Sequence, residues 1–135
     1  MNNPSRKIDA ATLQQSEQND LHTPSSIIPT SFWLGGLKID VVYDNTMVKT
    51  KQVIGEARYA YQQILLDPSV APMQTVEQSF FHEMVHWIFY VMGEEELRNN
   101  EKLVDLFAHF LYQARVTETR EQLVRSSDEL PASNI

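Results

Sequence analysis

The sequence predicts an α+β fold in which a small sheet of about three strands, antiparallel or mixed, packs on two core helices. Three observations carry this. "LKIDVVYD" alternates at the period of a strand. "GEARYAYQQILLD" sets aromatic and aliphatic residues on either side of a polar centre, as a hairpin does. "TVEQSFFHEMVHWIFYVMG" is an apolar run too long for a strand, and it stops at a glycine.

Taken in order, Ile39, Val41 and Tyr43 share one face of the first strand against Lys38, Asp40 and Val42 on the other. "DNTMVKTK" reads as a connection. The hairpin strands fall near 56–61 and 63–67, and the two prolines of "DPSVAP" end the second. Thr75 and Gln78 have the spacing of a capping box, so a helix is expected over roughly 76–92 with Gly93 as its stop. A second helix lies between Glu94 and Val116, with Asn99 or Asn100 as an internal start. In it Leu97, Val104, Phe107, Ala108 and Leu111 share one side, and Leu103, Leu106 and Phe110 the other. A helix apolar on nearly all sides is deeply buried or is covered by a tail or a partner.

The 135 residues suffice for one such domain. Residues 1–30 are mostly polar, with Pro4, Pro24 and Pro29, and are expected to form a disordered leader; 117–135 are a polar tail, and 31–116 the folded domain. Lys and Arg number 11 against 18 acids, a net charge of -7, which leaves no continuous basic surface for a phosphate backbone. Nucleic acid is therefore not an expected partner. With no cysteine there is no disulfide framework, thiol nucleophile or thiolate metal site, so imidazole and carboxylate are the strong ligands left. That absence, with no run of signal-peptide or membrane-span length, leads to the expectation of a soluble cytoplasmic protein without a membrane partner.

Within the long apolar run, His82 and His86 stand at i and i+4, one turn apart on one helix face, and both imidazoles can aim at a common point. This is what a tetrahedral zinc ion takes from a single rigid element. Glu83 is rotated by about 100° from His82, too far to be a third ligand but placed to serve a water molecule as general base. Zinc supplies the Lewis acid for peptide hydrolysis, and the glutamate carries the proton to the leaving amine. Two core histidines satisfied by hydrogen bonds are the plainer reading; burying them with a carboxylate and no partners would cost several kcal/mol. A catalytic zinc site has three protein ligands, and Glu101, Asp105 and His109, at i, i+4 and i+8 on the second helix, are the candidates. A neighbour of the ligand would orient a histidine through its other ring nitrogen. Arg58, Tyr59, Tyr61, Tyr112 and His109 are the available donors for a developing oxyanion, and His22 in the leader is expected to be solvated.

"HEMVH" followed by "NEKLVDLFAHFLYQ" resembles the H-E-x-x-H and E-x-x-x-(N/D)-x-F-A signatures of the ImmA/IrrE-type metallopeptidases, in particular the small versions encoded by phages and prophages. The resemblance spans roughly residues 37–113. It implies a zincin-like fold with Zn2+ as cofactor, Glu101 as third ligand beside His82 and His86, and Glu83 as catalytic residue. It also implies an edge strand that binds substrate by strand addition, expected here at "QILLD", residues 63–67. Val104 and Asp105 stand where alanine and asparagine are usual, on the metal-facing side of the helix. Reach favours the same ligand: the long side chain of Glu101 can cross between helices about 8–10 Å apart, while Asp105 suits a hydrogen bond to a ligand imidazole. A ligating His109 would instead match SprT-like sites. The expected function is a zinc-dependent endopeptidase acting on a protein partner, by resemblance a phage or host regulator. The alternative is a metal-containing interaction module of weak or no turnover that binds a peptide or partner protein.

Overall fold

The structure, a computed structural model, describes residues 25–121. It is an α+β fold whose four-stranded mixed sheet comprises β1 (Ser31–Leu34), β2 (Leu37–Tyr43), β3 (Gly55–Arg58) and β4 (Gln63–Leu66), in the order β1-β2-β4-β3. The helices are α1 (Met47–Lys51), α2 (Met73–Met92), α3 (Glu95–Arg98) and α4 (Glu101–Thr117).

The sheet has one strand more than the three expected. β1 and β2 form a hairpin through Gly35 and Gly36, whose φ of +56° and +85° are those a two-residue primed turn requires. A side chain at Gly35 would also collide with Val91 on α2. β2 and β4 pair in parallel, while β3 and β4 form the expected antiparallel hairpin, with a 3-10 turn at Tyr59–Tyr61 in place of further strand.

One expectation is corrected outright: residues 63–67 are not an edge. β4 lies between β2 and β3, and Ile64, Leu65 and Leu66 are all buried, the continuous apolar run of a strand covered on both faces. The edge strands are β1 and β3.

The expected connection "DNTMVKTK" contains α1. Its start is fixed from a distance: buried Asp67, just past β4, accepts from Val48 N at 2.9 Å as well as from Ser69 N and Oγ. Taking up an orphan helix N–H in this way stabilises so short a helix.

α2 begins at Met73 rather than 76. Pro72 precedes it with φ -60°, already helix-compatible, and its carbonyl accepts from Thr75 N and Val76 N; the Thr75 side chain makes no cap, so the capping box does not form. Gly93 ends the helix at φ +75°, with Gly93 N bonded to Tyr90 O and Glu94 N to Phe89 O, the paired bonds of a Schellman closure. Of the two asparagines, Asn100 caps α4 by accepting from Leu103 N at 3.1 Å.

Helix α2 is the middle of three layers. Val76, Phe80 and Trp87 join Ile39, Ile64 and Leu66 beneath the sheet, and Trp87 Nε1 donates to Gln63 O at 3.1 Å. Val85 and Phe89 pack on Val104 and Ala108 of α4. At about 100° per residue, His82 and His86 fall in the seam between these two apolar faces. The seam is where a helix buried on two sides can still present polar groups.

Most of the expected leader and tail, 1–24 and 122–135, lies outside the described residues. Of the leader, Ile28 joins the core, and Ser25 Oγ donates to Glu77 Oε2 at 2.7 Å. The Tyr112 hydroxyl of α4 donates to Glu77 Oε1 at 2.8 Å, so one carboxylate ties this segment and α4 to α2. Burial and this hydrogen bond push Tyr112 up to about 12 from its ordinary 10. A group raised on folding stabilises fully below its unfolded pKa, and that contribution drains away as pH rises through its folded one. The stability advantage of the wild type over Tyr112→Phe is therefore expected to be constant up to about pH 10 and to shrink between pH 10 and 12, read from denaturant midpoints across that range. An advantage that grows in that window would contradict the assignment.

The outward face of α4 is neither deeply buried nor covered among the described residues. Leu106, Phe107 and Phe110 are exposed there, so Phe107 parts from Val104 and Ala108, the buried residues with which its spacing grouped it.

Candidate metal centre

His82 and His86 on α2 meet Glu101 on the first turn of α4. His82 Nε2 lies 3.1 Å from Glu101 Oε1 and His86 Nε2 3.2 Å from Glu101 Oε2, with all three ligand atoms within 4.8 Å of one another. Asp105, one turn along α4, places Oδ1 3.3 Å from Nδ1 of His82. His109, a further turn on, is exposed and stands beside the Phe110 ring, away from this group. Of the three candidates on α4, the fold thus sets Glu101 between both imidazoles and Asp105 behind one of them.

The donor set fits a zinc ion. Bonds of about 2.0–2.1 Å at tetrahedral angles separate ligand atoms by roughly 3.4 Å, close to the two separations to Glu101. Burial holds His86 below the ordinary imidazole range, against the pull of Glu101, which favours the neutral form that binds metal. His86 Nδ1 is buried and has no hydrogen-bond partner. The Arg98 backbone, near the His86 ring, opposes the lowering by burial.

Glu83 lies on the sheet side of the seam. It is 9% exposed, and burial, opposed by neighbouring His82, raises its pKa to about 7. The strand leaves little room over it: a Cβ at Gly55 would stand 3.1 Å from Glu83 Cγ. Glycine at this point lets a buried carboxylate sit against the backbone of an edge strand.

Two open cavities of about 410 Å³ each meet at this point, both lined by Gly55, His82 and Glu83. One runs towards Thr75 and Ser79 at the start of α2. The other runs past His86 and Glu101 to Tyr59 and Arg98. Among the donors considered for an oxyanion, only Tyr59 lines either cavity: Arg58 lies over the Tyr61 ring at 4.8 Å, Tyr112 is bonded to Glu77, and His109 is remote. Burial raises Tyr59 above its ordinary value, with Arg98 opposing. Arg98 and Gly55 were not legible as site residues. Arg98 follows an irregular chain reversal, although a glycine opening a strand is a recognisable mark of close approach.

Compared with models of protein families, with curated proteins and with solved structures, the chain shows no match.

Proposed function

We propose that this chain is a zinc-dependent endopeptidase of the H-E-x-x-H type, with a zincin-like fold of the ImmA/IrrE kind, acting on a protein partner. The observation that carries the reading is the convergence of His82 Nε2 and His86 Nε2 on the Glu101 carboxylate, with Glu83 buried beside them but outside that group. In this reading His82, His86 and Glu101 hold Zn2+, and Asp105 orients His82. Bound there, zinc would polarise a scissile carbonyl and acidify the attacking water. Glu83 takes the proton of that water and delivers it to the leaving amine, working from a site where Gly55 and burial fix its carboxylate. β3, with its outer edge beside Glu83 and, among the described residues, no strand beyond it, takes the place first given to residues 63–67 as the strand along which an extended peptide is laid.

The test is digestion of a denatured protein mixture by the zinc-loaded chain, read as new termini by mass spectrometry. New termini that vanish on chelation and return with zinc are expected; none, or termini indifferent to chelation, would contradict the reading.

The interaction-module alternative draws on one observation, the exposed Leu106, Phe107 and Phe110 on α4. It takes over if the chain binds a partner protein through that face and cleaves nothing.

A further inference from the structure

The cavity that leads from His86 and Glu101 ends at a cation set on aromatic rings. Tyr59 and Tyr90 stack with centroids 4.3 Å apart, and the Arg98 guanidinium carbon lies 5.1 Å from the Tyr59 centroid and 5.6 Å from that of Tyr90. Trp87 closes on both rings edge-on, at 5.0 and 5.4 Å. An arginine held at the flank of a stacked aromatic pair has lost much of its rotamer freedom, and a bond to the Tyr59 hydroxyl engages only part of its five-donor fork. Among the described residues Arg98 forms no ion pair, although the acids outnumber the bases in this chain and Glu94 caps, and Glu95 and Glu96 open, the four-residue helix that carries it. It is half-buried and lines the cavity together with Tyr59, His86 and Glu101.

The position of this cation relative to the candidate metal ligands is set by one helix. His82, His86 and Tyr90 follow one another at four-residue intervals along α2, each about one turn or 5–6 Å further along the axis. The Arg98 guanidinium, 5.6 Å from the Tyr90 centroid, therefore marks a point roughly one turn beyond His86. An extended peptide advances about 3.3 Å per residue, so that point corresponds to one or two residues from the bond being cut.

We infer that Arg98, braced by Tyr59 and Tyr90, is a specificity residue that binds a carboxylate of the peptide one or two residues from the scissile bond. The inference rests on the peptidase reading for its substrate class. The carboxylate has two possible sources, an Asp or Glu side chain or the α-carboxylate of a chain end. A neutral residue would leave the guanidinium of Arg98 unmatched, which is what gives discrimination.

The experiment titrates the zinc-loaded protein with three peptides: acetyl-Ala-Ala-Ala-Asp-amide, acetyl-Ala-Ala-Ala with a free carboxyl end, and acetyl-Ala-Ala-Ala-Asn-amide as the neutral control. Binding is read from ring-proton NMR shifts, and cleavage is followed separately. At least one acidic peptide is expected to bind about tenfold or more tightly than the control. The arm that does so names the source. Arg98→Gln should abolish the difference at unchanged zinc content, and Arg98→Lys should keep part of it, because a charge remains but not the fork. Equal binding of acidic and neutral peptides, no binding by any, or a preference that survives Arg98→Gln, as direct carboxylate binding to zinc would, overturns the assignment. Cleavage without preference sinks the subsite and leaves the peptidase; preference without cleavage of these peptides or of proteins sinks the peptidase and leaves the subsite.

Discussion

Replacing Glu83 by Gln is expected to leave zinc content near the wild-type level while hydrolysis falls by about 10²- to 10⁴-fold, the usual contribution of a general base. Its carboxylate is not among the three atoms that converge, so the metal should not notice the exchange. Gln matches Glu in shape, so the close contact with Gly55 is preserved and folding should not be harmed. Metal analysis and turnover on the same sample check both halves. A variant that loses zinc would place Glu83 among the ligands, and one that still cleaves would remove it from the chemistry.

The second large effect concerns the residues proposed to hold the metal. His86→Ala and Glu101→Ala should each weaken zinc binding far beyond the roughly 10- to 100-fold expected of Asp105→Ala, whose carboxylate meets His82 at Nδ1, 3.3 Å away, and not at Nε2. His109→Ala should leave affinity unchanged, because His109 is exposed and away from the group. Competition with a chelator of known affinity gives all four values. If His109→Ala releases the metal and Glu101→Ala keeps it, the resemblance to the ImmA/IrrE-type enzymes fails even though zinc binds.

How far the site was legible follows from where its parts lie. His82, Glu83 and His86 share one helix, and the geometry of a helix is fixed by residue spacing alone, so their arrangement could be read directly. Glu101 stands on another helix; spacing left it level with Asp105 and His109, and only side-chain reach and a family resemblance separated them. Arg98 belongs to a four-residue helix placed by the chain reversal at Gly93, which no periodicity encodes. In the sheet, β2 and the β3–β4 hairpin announced themselves by alternation and apolar runs. The four-residue β1 did not, although the Gly35–Gly36 pair ahead of "LKID" was a hairpin signal. α1 was hidden because Asp67, nineteen positions beyond Val48, supplies its cap. The edge strand was misjudged for a similar reason. That β4 pairs in parallel with β2 is a tertiary choice, and its only local trace was the unbroken "ILL", which a covered strand needs and an edge does not.

The measurement that bears most directly on the metal centre is the zinc content of the full chain, purified without chelator or added metal and set against protein concentration. The convergence of His82, His86 and Glu101 predicts close to one zinc per chain. Well under half an equivalent, with no rise in melting temperature on adding zinc, would contradict it.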